Sequence, residues 1–372
     1  MREARTGYTE RADGTDPWLL ISVFLLMGLG LVMVLSSSAV RAERVFGREY
    51  YFFGRQFVYA LLGTGVLYTA WRVPIGLVFR LVYLWLLIAL VLLLLTLTPV
   101  GTGTGGATRW LDLGVATLQP VELVKVALVV YLAYFFSRKQ DKIKTFSVGF
   151  LPPILVTLIF AGALLLQPDF GGAVFITALF FFMSLMGGTR LVYLFASGLL
   201  CSGAGAIMLV NSPYRLERWM AFMKPFENAQ NVGYQLVQSL YGLGNGGVFG
   251  VGLGEGKQKL FFLPEAHTDF ILAVVGEELG FVGLSAVFLL LGVFLVRCLS
   301  ISLKQEDLQA RFTVFGLGLI VLLEAFLNIA VVVGACPPTG VPMPFISYGG
   351  SNLLVMCLCS GLILNIGTRR RD

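Results

Sequence analysis

The sequence predicts an all-α integral membrane protein of ten transmembrane helices, with a large, partly helical external loop between the seventh and eighth. Three observations carry this. Hydrophobic residues make up 57% of the 372 and charged residues only 13%, against about 25% charged in soluble domains. Ten apolar stretches are long enough to cross a hydrocarbon core of about 30 Å. The basic residues are biased to one side of those stretches, as cytoplasmic loops require, and about half of the exceptions lie in the long 211–268 loop, which counts weakly.

The stretches run over 18–39, 52–71, 77–98, 118–136, 147–166, 171–187, 190–210, 269–296, 312–335 and 343–366. The first is too long for a signal-peptide core and lacks a convincing cleavage site, so it reads as a retained helix. Residues 1–16 read as a flexible cytoplasmic tail, 17–368 as one membrane domain and 369–372 as a basic cytoplasmic tail. With both termini inside, the segment Arg138-Lys-Gln-Asp-Lys-Ile-Lys144, Arg297, Lys304, Arg311 and Arg369-Arg-Arg371 are cytoplasmic; the reverse orientation would put both dense basic clusters outside. The net charge of +6 acts through this placement and implies no nucleic-acid partner. The five cysteines make no CxxC pair, and Cys201, Cys298, Cys357 and Cys359 lie in or beside spans, where thiols act as small hydrophobes.

This topology gathers the polar motifs on the external face. Arg109 and Trp110 pair a cation with an interfacial aromatic, and Gln167-Pro-Asp169 offers Asp169 as a helix cap or a substrate contact. Pro344-Phe-Ile-Ser-Tyr-Gly-Gly-Ser351 enters the last span from this side, adding Ser347 and Ser351 as candidate substrate contacts. The 211–268 loop exceeds an ordinary connector and carries too many aromatics for a disordered one. Residues 213–223 fit an amphipathic helix on the membrane, with Arg215, Arg218 and Lys224 towards head groups. The glycine run 242–256 is either a flexible turn or, with Lys257 and Lys259, a phosphate cradle. It is not a Walker loop, because Val251 and Gln258 occupy positions that motif reserves for Gly and Ser or Thr.

The segment Leu263-Pro-Glu-Ala-His-Thr-Asp-Phe270 concentrates the chemistry, because ionisable groups at membrane depth are costly and default to functional candidates. Asp269 sits where a helix should begin and reads either as its N-cap or as a carboxylate base with a pKa raised by desolvation. His267 is the only histidine, so hydrogen bonding fits it better than zinc ligation. Deeper in the same span, Glu277 and Glu278 point in different directions, and one of them is expected to pair with Lys125. Glu122 and Lys125 share a helix face at i, i+3, completing an expected structural ion-pair network of Glu122, Lys125, Glu277 and Glu278. Glu324 and Asn328, at i, i+4, are expected to lock helices together.

Seven co-linear motifs resemble one family over about residues 17–368: 107–111 (Ala-Thr-Arg-Trp-Leu), 119–125 (Gln-Pro-Val-Glu-Leu-Val-Lys), 167–171 (Gln-Pro-Asp-Phe-Gly), 233–238 (Gly-Tyr-Gln-Leu-Val-Gln), 263–270, 276–280 (Gly-Glu-Glu-Leu-Gly) and 342–351. They are similar to the SEDS proteins of bacterial shape, elongation, division and sporulation. Ser36-Ser-Ser-Ala39 and the 265–270 motif resemble the division-type members more than the elongation type, and the sporulation type is close. Two departures are Val121, where the family commonly has Ser, and Asn352, where a further Ser is usual.

The resemblance implies a peptidoglycan glycosyltransferase polymerising lipid II outside the bacterial cytoplasmic membrane, with Asp269 as the catalytic aspartate. It implies no organic cofactor, since the donor arrives activated, and leaves a place for a divalent cation, Mg²⁺ or Mn²⁺. The candidate cations for the leaving diphosphate are Arg109, Arg215, Arg218, Lys257 and Lys259. Its implied partners are a class B penicillin-binding transpeptidase and other cell-division proteins. The chain itself lacks the Ser-x-x-Lys and Lys-Thr-Gly elements of a transpeptidase. Small residues at Gly280, Gly283, Ala286, Gly292, Gly316 and Gly318 are candidates for the seat of the partner's helix or, equally, for internal packing. Two other classes compete: a flippase for the lipid-linked precursor, and a non-catalytic division scaffold. Absence of an internal repeat and of matched broken helices counts against the first.

Overall fold

The structure, a computed structural model, describes residues 15–103, 108–112, 114, 117–227 and 233–368. It is nearly all helical. Helix α1 (Pro17–Phe46) starts on Asp16, whose carboxylate accepts the Leu19 N–H at 3.1 Å, with Pro17 in the first turn where its missing N–H costs nothing. Gly47, at φ +65°, ends it. Then follow α2 (Tyr51–Arg72), α3 (Ile75–Arg80), α4 (Val82–Leu95), α5 (Pro120–Arg138), α6 (Leu151–Leu166), α7 (Phe170–Gly187), α8 (Leu191–Val210), α9 (Pro213–Met223), α10 (Tyr234–Gly246), α11 (Ile271–Leu303), α12 (Leu308–Val332) and α13 (Gly350–Gly367).

Among the described residues, eight helices are long and apolar enough to cross a membrane. The expected second span is α2, full length at 22 residues but diluted by Arg55, Gln56 and Arg72. The expected third is broken at Leu81 into α3 and α4. The core sits where α5, α12 and α13 meet: each is buried over most of its length, whereas only 11% of α8 is, so α8 stands at the periphery. Close backbone approach brings α2 onto α13. A Cβ on Gly361 would fall 2.4 Å from the Leu67 carbonyl, and one on Gly63 would meet Cys357 Sγ at 2.9 Å. All five thiols are unpaired, and Cys298, Cys357 and Cys359 are buried as expected.

Two features went unread in the sequence. The external connection after α4 folds into an antiparallel sheet of β1 (Gly101–Thr102), β2 (Trp110–Asp112) and β3 (Thr117–Leu118), with Leu111 opposite both Gly101 and Leu118. It carries Arg109 at its edge. The second is a break in α11 at Gly280 (φ +66°), where the glycine run enters. There the N–H groups of Val251 and Gly252 donate to the Glu277 and Glu278 carbonyls, and Phe281 and Val282 donate back to Gly247 and Val248, all at 2.9–3.1 Å. Strand-like bonds thus replace the helical ones that the break removes. Only glycine permits this approach: a Cβ on Gly250, itself at φ +79°, would lie 2.1 Å from the Glu278 carbonyl.

Candidate active site

Asp269 lies just before α11, and the helix does not use it as a cap: Phe270 occupies the N-cap position and no side chain accepts there. The backbone here is pinned instead. Asn328 of α12 donates its Nδ2 to the Asp269 carbonyl at 2.8 Å and to the Val341 carbonyl at 2.9 Å. Ser347 Oγ donates to the Thr268 carbonyl at 2.6 Å, and the Tyr348 N–H donates to the His267 carbonyl at 2.9 Å. The carboxylate itself is half-buried and makes no hydrogen bond or ion pair with the described side chains. It faces a cleft of about 180 Å³ lined by Arg109, Arg218, Gln235, Thr339 and Gly340 among others. Burial, and secondarily the charge of Glu265, push its carboxyl from 3.8 up to about 6, while Arg218 and Arg109 pull it back.

The two arginines come from different elements. Arg218 stands on α9, the amphipathic helix expected over 213–223. Arg109 is aimed by Asp169: its Nη2 donates to the Pro168 carbonyl at 2.7 Å and its Nη1 lies 3.7 Å from Asp169 Oδ1. Asp169 also caps α7, accepting the Gly172 N–H at 3.1 Å. It therefore supports the cleft by placing Arg109 and fixing the start of α7. Two buried polar atoms of cleft residues, Arg109 Nε and Thr339 Oγ1, have no hydrogen-bond partner among the described residues. Thr339 was missed in the sequence; its place in Pro337-Pro-Thr-Gly340, in an external connection, was the available signal. Gly340, at φ +75°, turns the backbone against Asp269, so that a Cβ there would meet its Oδ2 at 3.7 Å.

Several other candidates resolve into structural parts. Ser351 Oγ accepts the Gln119 N–H at 3.0 Å and donates to the Thr117 carbonyl at 2.9 Å, stitching α13 to β3 and α5. Ser347, besides its bond to Thr268, accepts the Met343 N–H at 2.8 Å. Trp110 lies within β2 and Lys257 is exposed; neither lines the Asp269 cleft. The side chain of Arg215 lies outside the described residues. Lys259 does not line the Asp269 cleft: it is buried, with Nζ 2.7 Å from Glu278 Oε1 and 3.1 Å from Ser36 Oγ. His267 packs between the rings of Phe52 and Tyr348 and faces a separate cavity. Burial chiefly pushes its imidazole down to about 4, so it is neutral at physiological pH.

The expected ion-pair network divides in two. Lys125 Nζ bonds Glu122 Oε1 at 2.8 Å and Glu324 Oε1 at 2.6 Å, not Glu277 or Glu278. Asn352 Nδ2 donates to the remaining oxygens of both carboxylates, at 3.2 and 2.7 Å. This gives a role to the asparagine that stands where a serine is usual. Glu277 and Glu278 instead serve the glycine run. Glu277 accepts the Lys257 and Gln258 N–H groups at 3.1 and 3.0 Å; Glu278 accepts the Gly254 N–H at 3.0 Å. The loop does wrap backbone N–H groups around anions, but the anions are the protein's own carboxylates. The N–H groups of Gly254, Lys257 and Gln258 are thereby taken up and not offered to a phosphate.

A family model described as cell cycle protein, grouping FtsW, RodA and SpoVE, matches residues 17–372. The chain is 42% identical over 361 residues to a protein of Trichlorobacter lovleyi named as a probable peptidoglycan glycosyltransferase FtsW, covering 94% of this chain and 92% of that one. It is 35% identical over 370 residues to the stage V sporulation protein E of Bacillus subtilis, covering 98% and 100%. Among solved structures, one described as the structural coordination of polymerization and crosslinking by a peptidoglycan synthase complex superposes with a TM-score of 0.80 at 29% identity, covering 95% of this chain and 98% of that one. The rod shape determining protein RodA of Thermus thermophilus gives a TM-score of 0.70 at 26% identity, covering 95% and 97%.

Proposed function

This chain belongs to the FtsW, RodA and SpoVE family of cell cycle proteins and is a multi-pass membrane protein and a peptidoglycan glycosyltransferase; on that premise we propose that it polymerises lipid II at the external membrane surface, with Asp269 as the general base. Septal wall synthesis is the role that the relatives named FtsW support. One observation carries the reading. Asp269 is the carboxylate of a cleft with two guanidiniums, pushed up to about 6 and left without a hydrogen bond to the described side chains. A base poised near neutral pH and adjacent cations are what inverting sugar transfer from a diphosphate needs.

In that step Asp269 takes the proton of the acceptor sugar's 4-hydroxyl as its oxygen bonds to the donor's anomeric carbon. The anomeric carbon–oxygen bond breaks, and the lipid diphosphate leaves with the electron pair. Arg109 and Arg218 stabilise the charge that develops on it. The buried Arg109 Nε and Thr339 Oγ1, without a partner among the described residues, are donors for the substrate. A resident divalent cation does not fit this cleft, where a single carboxylate faces two guanidiniums and hard cations take several oxygen ligands.

The orientation adopted here has ten spans, α2 and the α3–α4 pair joining the eight apolar helices, with cytoplasmic termini and the Asp269 cleft outside. A class B penicillin-binding transpeptidase is the partner proposed, because glycan strands bear load only once cross-linked. A lipid flippase would need a site reachable from both faces, and the broken helices among the described residues, α3–α4 and α11, are not related by an internal repeat in the sequence. The deciding experiment is lipid II polymerisation by purified protein, alone and with a class B transpeptidase. Glycan strands from the parent chain, and a rate lower by about 10² or more in Asp269→Asn, are expected. Undiminished polymerisation by the Asn variant would overturn the assignment.

A further inference from the structure

A second cavity, of about 320 Å³, lies beside the Asp269 cleft. The two share no lining residue, although His267 lines one and Asp269 the other. The walls of the second come from the external end of α1 (Ser37, Arg41), the turn after the glycine run (Lys259, Phe261) and the 263–267 segment. Its cations are incompletely used. An ammonium has three donors, and Lys259 places one on Glu278 and one on Ser36, leaving one. Among the described residues the ion pair of Arg41 is with Glu265, at a loose 3.7 Å, with both side chains more than 40% exposed. A pair of that kind contributes little and yields readily to a better anion.

Glu265 has a second distinguishing feature. It holds φ +56°, a left-handed conformation that a glutamate adopts only under constraint. The N–H groups of Thr268 and Phe270 donate to its carbonyl, at 3.1 and 3.3 Å, and Thr268 Oγ1 donates to its carboxylate at 3.0 Å. Strain of this kind next to a reacting group points to a functional constraint. Here the strained turn holds one carboxylate against the Arg41 guanidinium and presents another, Asp269, to the neighbouring cleft.

We propose that the cavity bounded by Arg41, Lys259 and His267 is a second diphosphate site, holding the head group of the other lipid-linked substrate while its sugars cross to the Asp269 cleft. The inference rests on the polymerase reading. That reaction joins two lipid diphosphates: one is expelled beside the anomeric carbon under attack, and the other sits a disaccharide away from the attacking hydroxyl. Arg109 and Arg218 serve the first. The second needs its own cations at the membrane surface, outside the cleft but next to it, and this cavity supplies them. Arg41 exchanges Glu265 for the incoming diphosphate, with the free Lys259 donor beside it.

The test uses the full chain in detergent micelles carrying Asp269→Asn, so that turnover of bound substrate is slowed by about 10² or more. Binding of a short-prenyl lipid II is followed by calorimetry. Two molecules per chain are expected. Adding Arg41→Gln should weaken one of the two by about tenfold or more, the loss of one charge-assisted contact, and leave the other unchanged. Arg41→Lys should recover part of the loss, and inorganic pyrophosphate should compete at the Arg41-dependent site. Unchanged binding of both molecules in Arg41→Gln would overturn the proposal. So would displacement of the second molecule by phosphatidylglycerol micelles at equal concentration, which would make the cavity a general phospholipid site. Either result leaves the polymerase reading intact, since that reading stands on turnover at Asp269.

Discussion

At the scale of single residues, the charge state of Asp269 decides whether the cleft is active. Burial and the Glu265 charge push its carboxyl from 3.8 up to about 6, so kcat/KM should rise through about pH 6 and then level off. Residual activity of Asp269→Asn should be flat with pH. The same shift has a consequence for stability. The folded pKa lies above the unfolded one, so the bound proton favours the fold; that contribution is present below about 3.8 and lost as pH rises through about 6. Asp269→Asn, uncharged throughout, should therefore melt higher than the parent at pH 8 and at the same temperature at pH 3. Scanning fluorimetry in detergent measures this, and equal melting at both pH values would contradict the shift. His267, pushed down to about 4, cannot supply the limb near 6. Asp269 stood out in the sequence as either an N-cap or a base, because a carboxylate at a loop–helix junction in an apolar chain is costly, and the structure removes the first reading by placing Phe270 at the N-cap. Lys259, Ser347 and Ser351 were not. Their partners, Glu278, Thr268 and Thr117, are brought to them by tertiary structure, and local spacing carries no record of that.

At the scale of elements, unbroken apolar runs made the helices readable, and the interruptions were where reading failed. The β1–β3 sheet has strands of two or three residues, too short for any alternation to register. The break in α11 is invisible as periodicity because Gly280 sits among apolar neighbours; what shows it is a glycine run that packs onto it. The Lys125 network was half legible. The i, i+3 pair with Glu122 follows from helix geometry, whereas Glu324, on another helix, had no signal connecting it to Lys125. With Lys125 holding two buried carboxylates together, Lys125→Ala leaves both uncompensated. Loss of one partner of a buried pair costs about 3–5 kcal/mol. Expression and thermal stability should fall along with activity, and Glu324→Gln in the same chain should restore part of the stability. A Lys125→Ala protein that melts like the parent yet makes no glycan would move this lysine from scaffold to substrate site.

At the scale of the whole molecule, the partner's docking surface must lie on an outward face, and the structure redraws where that face is. Gly316 and Gly318 point inward. A Cβ on Gly316 would stand 2.5 Å from Val129 Cγ1 and 2.8 Å from Met183 Sδ, and one on Gly318 would meet Cys298 Cβ at 3.1 Å. Gly280 and Gly283 are also buried, the first in the clasp with the glycine run. Of the six small residues that were candidates to seat a partner helix, the outward ones are Ala286, which is exposed, and Gly292, whose added Cβ would meet nothing within 4 Å. They stand on α11 among exposed Phe281, Val282, Leu289 and Val296. Apolar exposure by itself is expected wherever lipid is the solvent, so the small residues carry the argument: they are where a second helix can approach the backbone. Ala286→Leu and Gly292→Leu should therefore lower co-purification with a class B transpeptidase while leaving expression and melting near parental values. Gly316→Leu should do the opposite in order, destabilising the chain first, because overpacking a filled site costs about 1–3 kcal/mol or more. If neither α11 variant changed co-purification, this face would not be the seat, and contacts outside the membrane would have to carry the association.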